Sequence, residues 1–130
     1  MNSGSQYLYG GYGNDTIFVG SDNTGADLVI FGDLGGQGAA IDFMEYAGLP
    51  KDGNDIIDIG DNNVAANGIV AYGQGGNDKL IGGIGHTATL ETLYGGDGDD
   101  KVWAHNPEQF EDTGMNYLFG NDGNDIIYGS

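Results

Sequence analysis

Cysteine is absent from this 130-residue chain, proline occurs twice, and only three residues are Lys or Arg. Without cysteine there is no disulfide framework and no thiolate metal site. Three cations cannot neutralise a phosphate backbone, which excludes nucleic acid as a main partner. An anionic membrane surface is excluded by the same argument of sign. No apolar run approaches the ~18 residues that mark a bilayer-spanning helix, so no membrane insertion is expected. The opening MNSGSQYLYG lacks a basic segment followed by an apolar stretch and does not read as a signal peptide. What the chain has in excess is glycine, 27 residues, and acid, 20 Asp and Glu that set the formal net charge at −17. Each glycine costs a helix about 1 kcal/mol relative to alanine, so ordinary helices are not expected. The length fits one domain, 1–130, or a piece of a longer array.

Acidic, glycine-rich chains are often disordered, because few apolar groups are left to offset chain entropy. Here 38% of residues are hydrophobic, with 8 Tyr and 5 Phe. They arrive in short β-type runs bounded by glycine. The pattern predicts order that depends on something cancelling the charge.

A nine-residue unit, G-G-x-G-x-D-x-(apolar)-x, recurs along the chain. It reads GGYGNDTIF from Gly10, GQGGNDKLI from Gly73, GGDGDDKVW from Gly95 and GNDGNDIIY from Gly120. PKDGNDIID from Pro50 keeps only the second half, and GDLGGQGAA from Gly32 has Gln37 in place of the aspartate. A second set of apolar runs ends in aromatic–glycine pairs, at Tyr9–Gly10, Phe31–Gly32, Tyr72–Gly73, Tyr94–Gly95 and Phe119–Gly120. The coil inferred is turn, strand, looser turn, strand, wound about six times. Alternation of side chains along a strand places Ile17, Ile57, Leu80, Val102 and Ile127 inward, with Leu8, Ile30, Leu93 and Leu118 facing them. The looser halves, 20–27, 60–67, 82–89 and 104–115, vary in length, as loops can at small entropic cost. The stretch 39–49, AAIDFMEYAGL, is the most irregular and is compatible with a short helical turn.

One G-x-G-N-D alone would be an ordinary turn with incidental acids. Well-kept copies in phase with a strand pattern are something else. The unit resembles the RTX (repeats-in-toxin) nonapeptide of secreted bacterial proteins. That resemblance implies an all-β fold, a right-handed parallel β-roll, with calcium ions between successive turns and one aspartate from each. Because the second flank lacks the motif, one regular calcium-binding flank and one irregular loop flank are expected. The resemblance gives Asp55/Asp78, Asp78/Asp100 and Asp100/Asp125 as good sites. Asp15/Gln37 and Gln37/Asp55 would be weaker, since Gln37 is neutral. Carbonyl ligands would come from Gly10 in the first copy; from Gly73, Gly75 and Gly76; from Gly95, Asp97 and Gly98; and from Gly120, Asp122 and Gly123. Stacked carboxylates on strands about 4.8 Å apart repel one another, and a hard divalent ion with six to eight oxygen ligands removes the repulsion. Magnesium fits less well, and His86 and His105 without cysteine offer no zinc or iron site.

The leading functional reading is a calcium-triggered folding module of a secreted, extracellular bacterial protein, with several Ca²⁺ ions and no catalysis. No nucleophile elbow, P-loop or Ser–His–Asp arrangement is legible. The alternative is an accessory domain of an adhesin or secreted enzyme that contacts polysaccharide or a cell surface through Trp103, Tyr9, Tyr72 and Tyr94. Ice binding would call for threonines in phase, and Thr16, Thr24, Thr87, Thr89, Thr92 and Thr113 are not. Asp22, Asp27, Asp61 and Asn62 are read as solvated turn residues. Neither end of the repeat carries a polar cap, so the chain is expected to continue in a longer protein or to meet partners or flanking domains there.

Overall fold

The computed structural model describes residues 4, 6–11, 13–33, 53–85, 90–106 and 115–129. The expected helical turn at 39–49 lies outside them. Two five-stranded parallel sheets face each other. The first runs β1 (Gln6–Tyr9), β4 (Leu28–Phe31), β7 (Ile69–Gly75), β9 (Leu90–Asp97) and β11 (Met115–Asp122). The second runs β2 (Thr16–Phe18), β5 (Ile56–Asp58), β8 (Lys79–Ile81), β10 (Lys101–Trp103) and β12 (Ile126–Tyr128). A two-stranded parallel sheet, β3 (Thr24–Gly25) with β6 (Val64–Ala65), lies on the second flank. Consecutive long-sheet strands alternate between the two sheets, so the chain winds as a parallel β-roll.

Period-two alternation makes the core. Ile57, Leu80 and Val102 of the second sheet are fully buried against Ile30, Ala71 and Leu93 of the first, as the strand pattern predicts. Each large aliphatic side chain buried this way is worth about 1.5–3 kcal/mol. Leu8, Ile17 and Leu118, in the outer coils, are only partly buried against this core.

The coil count differs from the sequence reading: the described residues make five coils, not six. Strand β2 pairs directly with β5, Ile17 beside Ile57, so no rung built on Gln37 separates them. The copies at Gly32 and Pro50 are two halves of one turn. Gly32 and Asp33 open it, and Gly53, Asn54 and Asp55 complete it. Asp33 joins the halves: its buried carboxylate accepts the Gly53 N–H at 2.9 Å and the Gly75 N–H of the next coil at 3.1 Å. An insertion inside a turn survives because its ends are fixed by the ladders on both sides, and closure entropy grows only slowly with length.

Candidate metal centre

On the first flank the turns stack in register. The position-6 aspartates Asp15, Asp55, Asp78, Asp100 and Asp125 form one column. The N–H of each donates to Oδ1 of the aspartate one coil later: Asp15 to Asp55 at 2.8 Å, Asp55 to Asp78 at 2.7 Å, Asp78 to Asp100 at 2.8 Å and Asp100 to Asp125 at 3.0 Å. The position-5 residues form a second ladder of opposite sense. The side-chain oxygens of Asn14, Asn54, Asn77 and Asp99 accept the N–H of Asn54, Asn77, Asp99 and Asn124, at 2.8–3.0 Å. Asp15 therefore stacks on Asp55; Gln37, through which the weaker pairs are expected, lies outside the described residues.

The other carboxylate oxygen of the column has no such partner. Asp15, Asp55, Asp78 and Asp100 each bury Oδ2 with no hydrogen-bond donor in reach. An orphaned buried polar atom costs about 1–3 kcal/mol, and more when charged. Each of these oxygens lies over the face of the glycine that opens its own turn, beside the carbonyl oxygen of the next coil's opening glycine. A Cβ at Gly73 would meet Asp78 Oδ2 and the Gly95 carbonyl; one at Gly95 would meet Asp100 Oδ2 and the Gly120 carbonyl. Gly10 and Gly32 repeat the arrangement with Asp15 and the Gly32 carbonyl, and with Asp55 and the Gly73 carbonyl. Glycine is thus needed at position 1 for space, and at position 4 both for space, since a Cβ at Gly76 or Gly98 would meet the carbonyl of the preceding coil's position-4 glycine, and for a positive φ, +108° at Gly76 and +128° at Gly98.

The other carbonyl ligands the resemblance implies have neighbours of their own in the turns. The Asp97 and Asp122 carbonyls accept the Gly76 and Gly98 N–H groups, and those of Gly76 and Gly98 lie against Gly98 and Gly123 of the following coil. Gly75 takes its N–H to Asp33. Gly32, which the repeat pattern places in a separate copy, lies against Asp55 Oδ2 and the Gly73 carbonyl. Among the described residues no three acidic or imidazole side chains converge on one point; the polar atoms that do meet at each cradle are carboxylate and backbone carbonyl oxygens. All-oxygen donors of this kind suit a hard cation such as calcium.

Electrostatics point the same way. Burial raises the Asp55 carboxyl, and burial raises Asp100, in each case over the lowering effect of the N–H it accepts and with a further rise from neighbouring acids. Asp78, in the middle of the column, is pushed up to about 8, first by burial and then by the charges of Asp100, Asp55 and Asp33. At Asp55, Asp78 and Asp100 the fold therefore shifts the balance toward the neutral carboxyl, and a nearby cation would shift it back.

On the second flank the same job falls to amides. Asn63 is buried; its Oδ1 accepts the Asn23 N–H at 2.9 Å, as Asp55 Oδ1 accepts that of Asp15. Its Nδ2 donates to the Ile59 carbonyl at 2.7 Å and the Gly20 carbonyl at 2.9 Å. Asn23 Nδ2 reaches the Val19 and Gly20 carbonyls, each at 3.3 Å. Asp22 and Asn62 sit exposed at positive φ, 62° and 55°, as expected of turn residues, while Asp61 is only half-buried and caps Ile84 N–H at 3.1 Å. Glu91 escaped the sequence reading. It points inward from β9, fully buried, with Oε2 accepting the Gly83 N–H at 3.3 Å and Oε1 beside the Ala104 carbonyl on the face of Gly82. Its alignment with Leu28 and Ile69, three residues before each aromatic–glycine pair, was the available signal.

The aromatics make a ladder. Tyr9, Phe31, Tyr72, Tyr94 and Phe119 stack with centroids 4.9–5.2 Å apart and planes within 10°. Trp103 stacks on Tyr128 at 5.1 Å. Sugar binding needs an open ring face, and this ladder spends both faces of Phe31, Tyr72 and Tyr94 on neighbouring rings. His105 sets Nδ1 against the Asn106 carbonyl at 2.9 Å, and His86 lies outside the described residues. Among the described residues no helix is long and apolar enough to cross a membrane.

Neither a curated protein nor a solved structure matches the chain. The family model of the RTX calcium-binding nonapeptide repeat matches it in four copies, over residues 2–36, 70–87, 91–106 and 112–130. These segments take in the turns of Asp15, Asp78, Asp100 and Asp125 and leave out the half-turn of Asp55. With more than half of its length matched and its turns stacked around a column of aspartates, the chain belongs to the RTX calcium-binding nonapeptide repeat family.

Proposed function

We propose that this calcium-binding β-roll is a folding module of a secreted protein, unfolded where calcium is scarce and assembled where it is plentiful. The observation that carries the reading is the row of four buried Oδ2 atoms without donors, each beside a neighbouring turn's carbonyl. Ions between successive coils would be held by Asp15 with Asp55, Asp55 with Asp78, Asp78 with Asp100 and Asp100 with Asp125. The carbonyls of Gly32, Gly73, Gly95 and Gly120 would complete them. A bound ion supplies positive charge to a column that burial and like charge otherwise push toward protonation. The chain's own residues do the rest: Oδ1 and the position-5 ladder hold the register, and glycine keeps the space clear.

At −17 the metal-free chain repels itself. Ions that bind only the folded state add free energy by mass action, about 2.7 kcal/mol per site at a hundred times its dissociation constant. Several such sites are comparable with the whole stability of a small domain, so binding and folding become one event. Circular dichroism of the chelated chain, titrated with calcium, tests this: the β-signal should appear cooperatively with the ion. The same β-rich spectrum with and without calcium would refute it.

A further inference from the structure

The second flank is not built alike in all its coils. Val19, Ile59, Gly82 and Ala104 follow Phe18, Asp58, Ile81 and Trp103, which pair across the second sheet, so the four open their turns at the same level. In the two earlier coils amides supply donors to these carbonyls. Asn23 Nδ2 reaches the Val19 carbonyl at 3.3 Å, and Asn63 Nδ2 reaches that of Ile59 at 2.7 Å. Four residues after Gly82 and Ala104 the sequence has His86 and Glu108 where Asn23 and Asn63 follow Val19 and Ile59. Here the Ala104 carbonyl meets Glu91 Oε1 instead, over the bare face of Gly82.

A carbonyl oxygen and a carboxylate oxygen both accept hydrogen bonds and carry like partial charge. Their meeting in a dry interior is costly until a positive charge lies between them. Glu91 and Ala104 are both buried, and Glu91 Oε2 fixes the carboxylate in place by accepting the Gly83 N–H at 3.3 Å. The arrangement repeats the first flank part by part. There Asp78 Oδ2 lies over the face of Gly73 beside the Gly95 carbonyl. In both places a glycine of the acid's own coil leaves the space, and the carbonyl comes from the coil that follows.

Only the origin of the side chain differs. Asp78 comes from the turn, whereas Glu91 comes from β9, in the column that Leu28 and Ile69 fill in earlier coils. On β11, Asn116 stands beside Glu91 in register, on the same inward alternation as Leu118. A column that is aliphatic in two coils thus turns to acid and amide in the next two, where the flank has lost its asparagines.

We propose that Glu91, the Ala104 carbonyl and the Asn116 amide oxygen form a further calcium site, on the second flank between the coils of β9 and β11. The site rests on the calcium reading above and uses the same hard oxygen donors, but its acid comes from outside the nine-residue motif. As on the first flank, the ion takes one side chain from each coil. It ties β9 to β11 at the end of the sheet away from the aspartate column.

Calorimetric titration of the whole chain with calcium tests this. Glu91→Gln keeps the shape and the bond to the Gly83 N–H, and its amide can donate to the Ala104 carbonyl as Asn63 does to that of Ile59. The variant should bind one ion fewer than the native chain and keep the ions of the first flank. Glu91→Leu restores the residue type of Leu28, should lose the same ion, and is read in place of Glu91→Gln if that variant does not fold. Circular dichroism in calcium verifies folding in each. The native chain has a readout of its own: with isotope-labelled glutamate, calcium should shift a carboxylate band in the infrared. An unchanged ion count in a folded variant, or labelled bands that calcium leaves in place, would overturn the proposal and leave the two oxygens a proton to share. Failure of the calcium reading itself looks different: the native chain binds no ion and its dichroism does not respond to calcium, which removes this site as well.

Discussion

Asp55 and Asn63 occupy corresponding places on opposite flanks of one coil and differ in a single functional atom. Each uses Oδ1 to accept an N–H from the preceding coil. Where Asp55 then turns a bare carboxylate oxygen toward a neighbouring carbonyl, Asn63 offers an amide that donates to the Ile59 and Gly20 carbonyls. Both turns gather backbone oxygens and must satisfy them. The asparagine flank does so with its own N–H groups and is complete as a polypeptide. The aspartate flank gathers still more negative charge, and under the proposed function a cation would complete it. If the proposed function holds, the roll carries at this coil a calcium-dependent flank on one side and a self-satisfied flank on the other.

Exchanging the two chemistries should have the largest effect. Asp78→Asn removes charge from two ion pairs at once, so calorimetric titration should lose about two ions and the calcium midpoint of folding should rise by tenfold or more, roughly 1.4 kcal/mol for each factor of ten. Asn63→Asp runs the other way. It deletes two donated hydrogen bonds and buries an acid, so calcium-saturated stability should fall by about 1–3 kcal/mol in urea denaturation.

Glycine separates the flanks next. Gly73→Ala drives a methyl group into Asp78 Oδ2 and the Gly95 carbonyl, and should weaken both calcium affinity and stability by about 2 kcal/mol or more. Gly20→Ala meets open space at φ +83° and should cost only the strain of a left-handed residue, about 1–2 kcal/mol, with the calcium midpoint shifted no further than that loss implies. Comparable calcium shifts in the two variants would erase the distinction.

Acid should affect the chelated and loaded proteins in opposite directions. The folded carboxyls of Asp55, Asp78 and Asp100 lie above their unfolded values, Asp78 at about 8. Metal-free, their contribution is fully present below the unfolded value and is lost as pH rises toward that of the folded column. The chelated chain should therefore gain β-structure on acidification from pH 8 toward 4. Protons compete with the ion, so the calcium midpoint should rise over the same range. Dichroism at a series of pH values, with and without calcium, checks both signs. Smallest of all, Tyr72→Leu in the middle of the ladder should cost about 0.5–1.5 kcal/mol and leave ion stoichiometry unchanged.

Much of this was legible beforehand. Glycine at positions 1 and 4 and aspartate at position 6 announce themselves by repetition, and the inward columns follow from period-two alternation. What escaped was decided by contacts across long separations. Gln37 stands where a motif aspartate would be, and only the pairing of β2 with β5 makes Asp15 and Asp55 neighbours in the column. Glu91 lies among Thr and Leu residues on a strand whose register with Ile69 makes it an inward position. Asn23 and Asn63 look like ordinary turn residues until their amides are seen on carbonyls 40 and more positions away or at the turn's own root.

By itself the sequence determined the period, the strands, the acidic column and the need for a counter-charge, because each repeats locally and local repetition survives in a linear string. Which half-motifs belong to one turn was left to the tertiary structure. Gly32 and Asp33 are separated from Gly53 by nineteen residues, 34–52, and only the hydrogen bonds from neighbouring coils, with the Asp33 carboxylate holding Gly53 and Gly75, make them one rung. A register enforced through space has no trace in sequence spacing once an insertion interrupts the count.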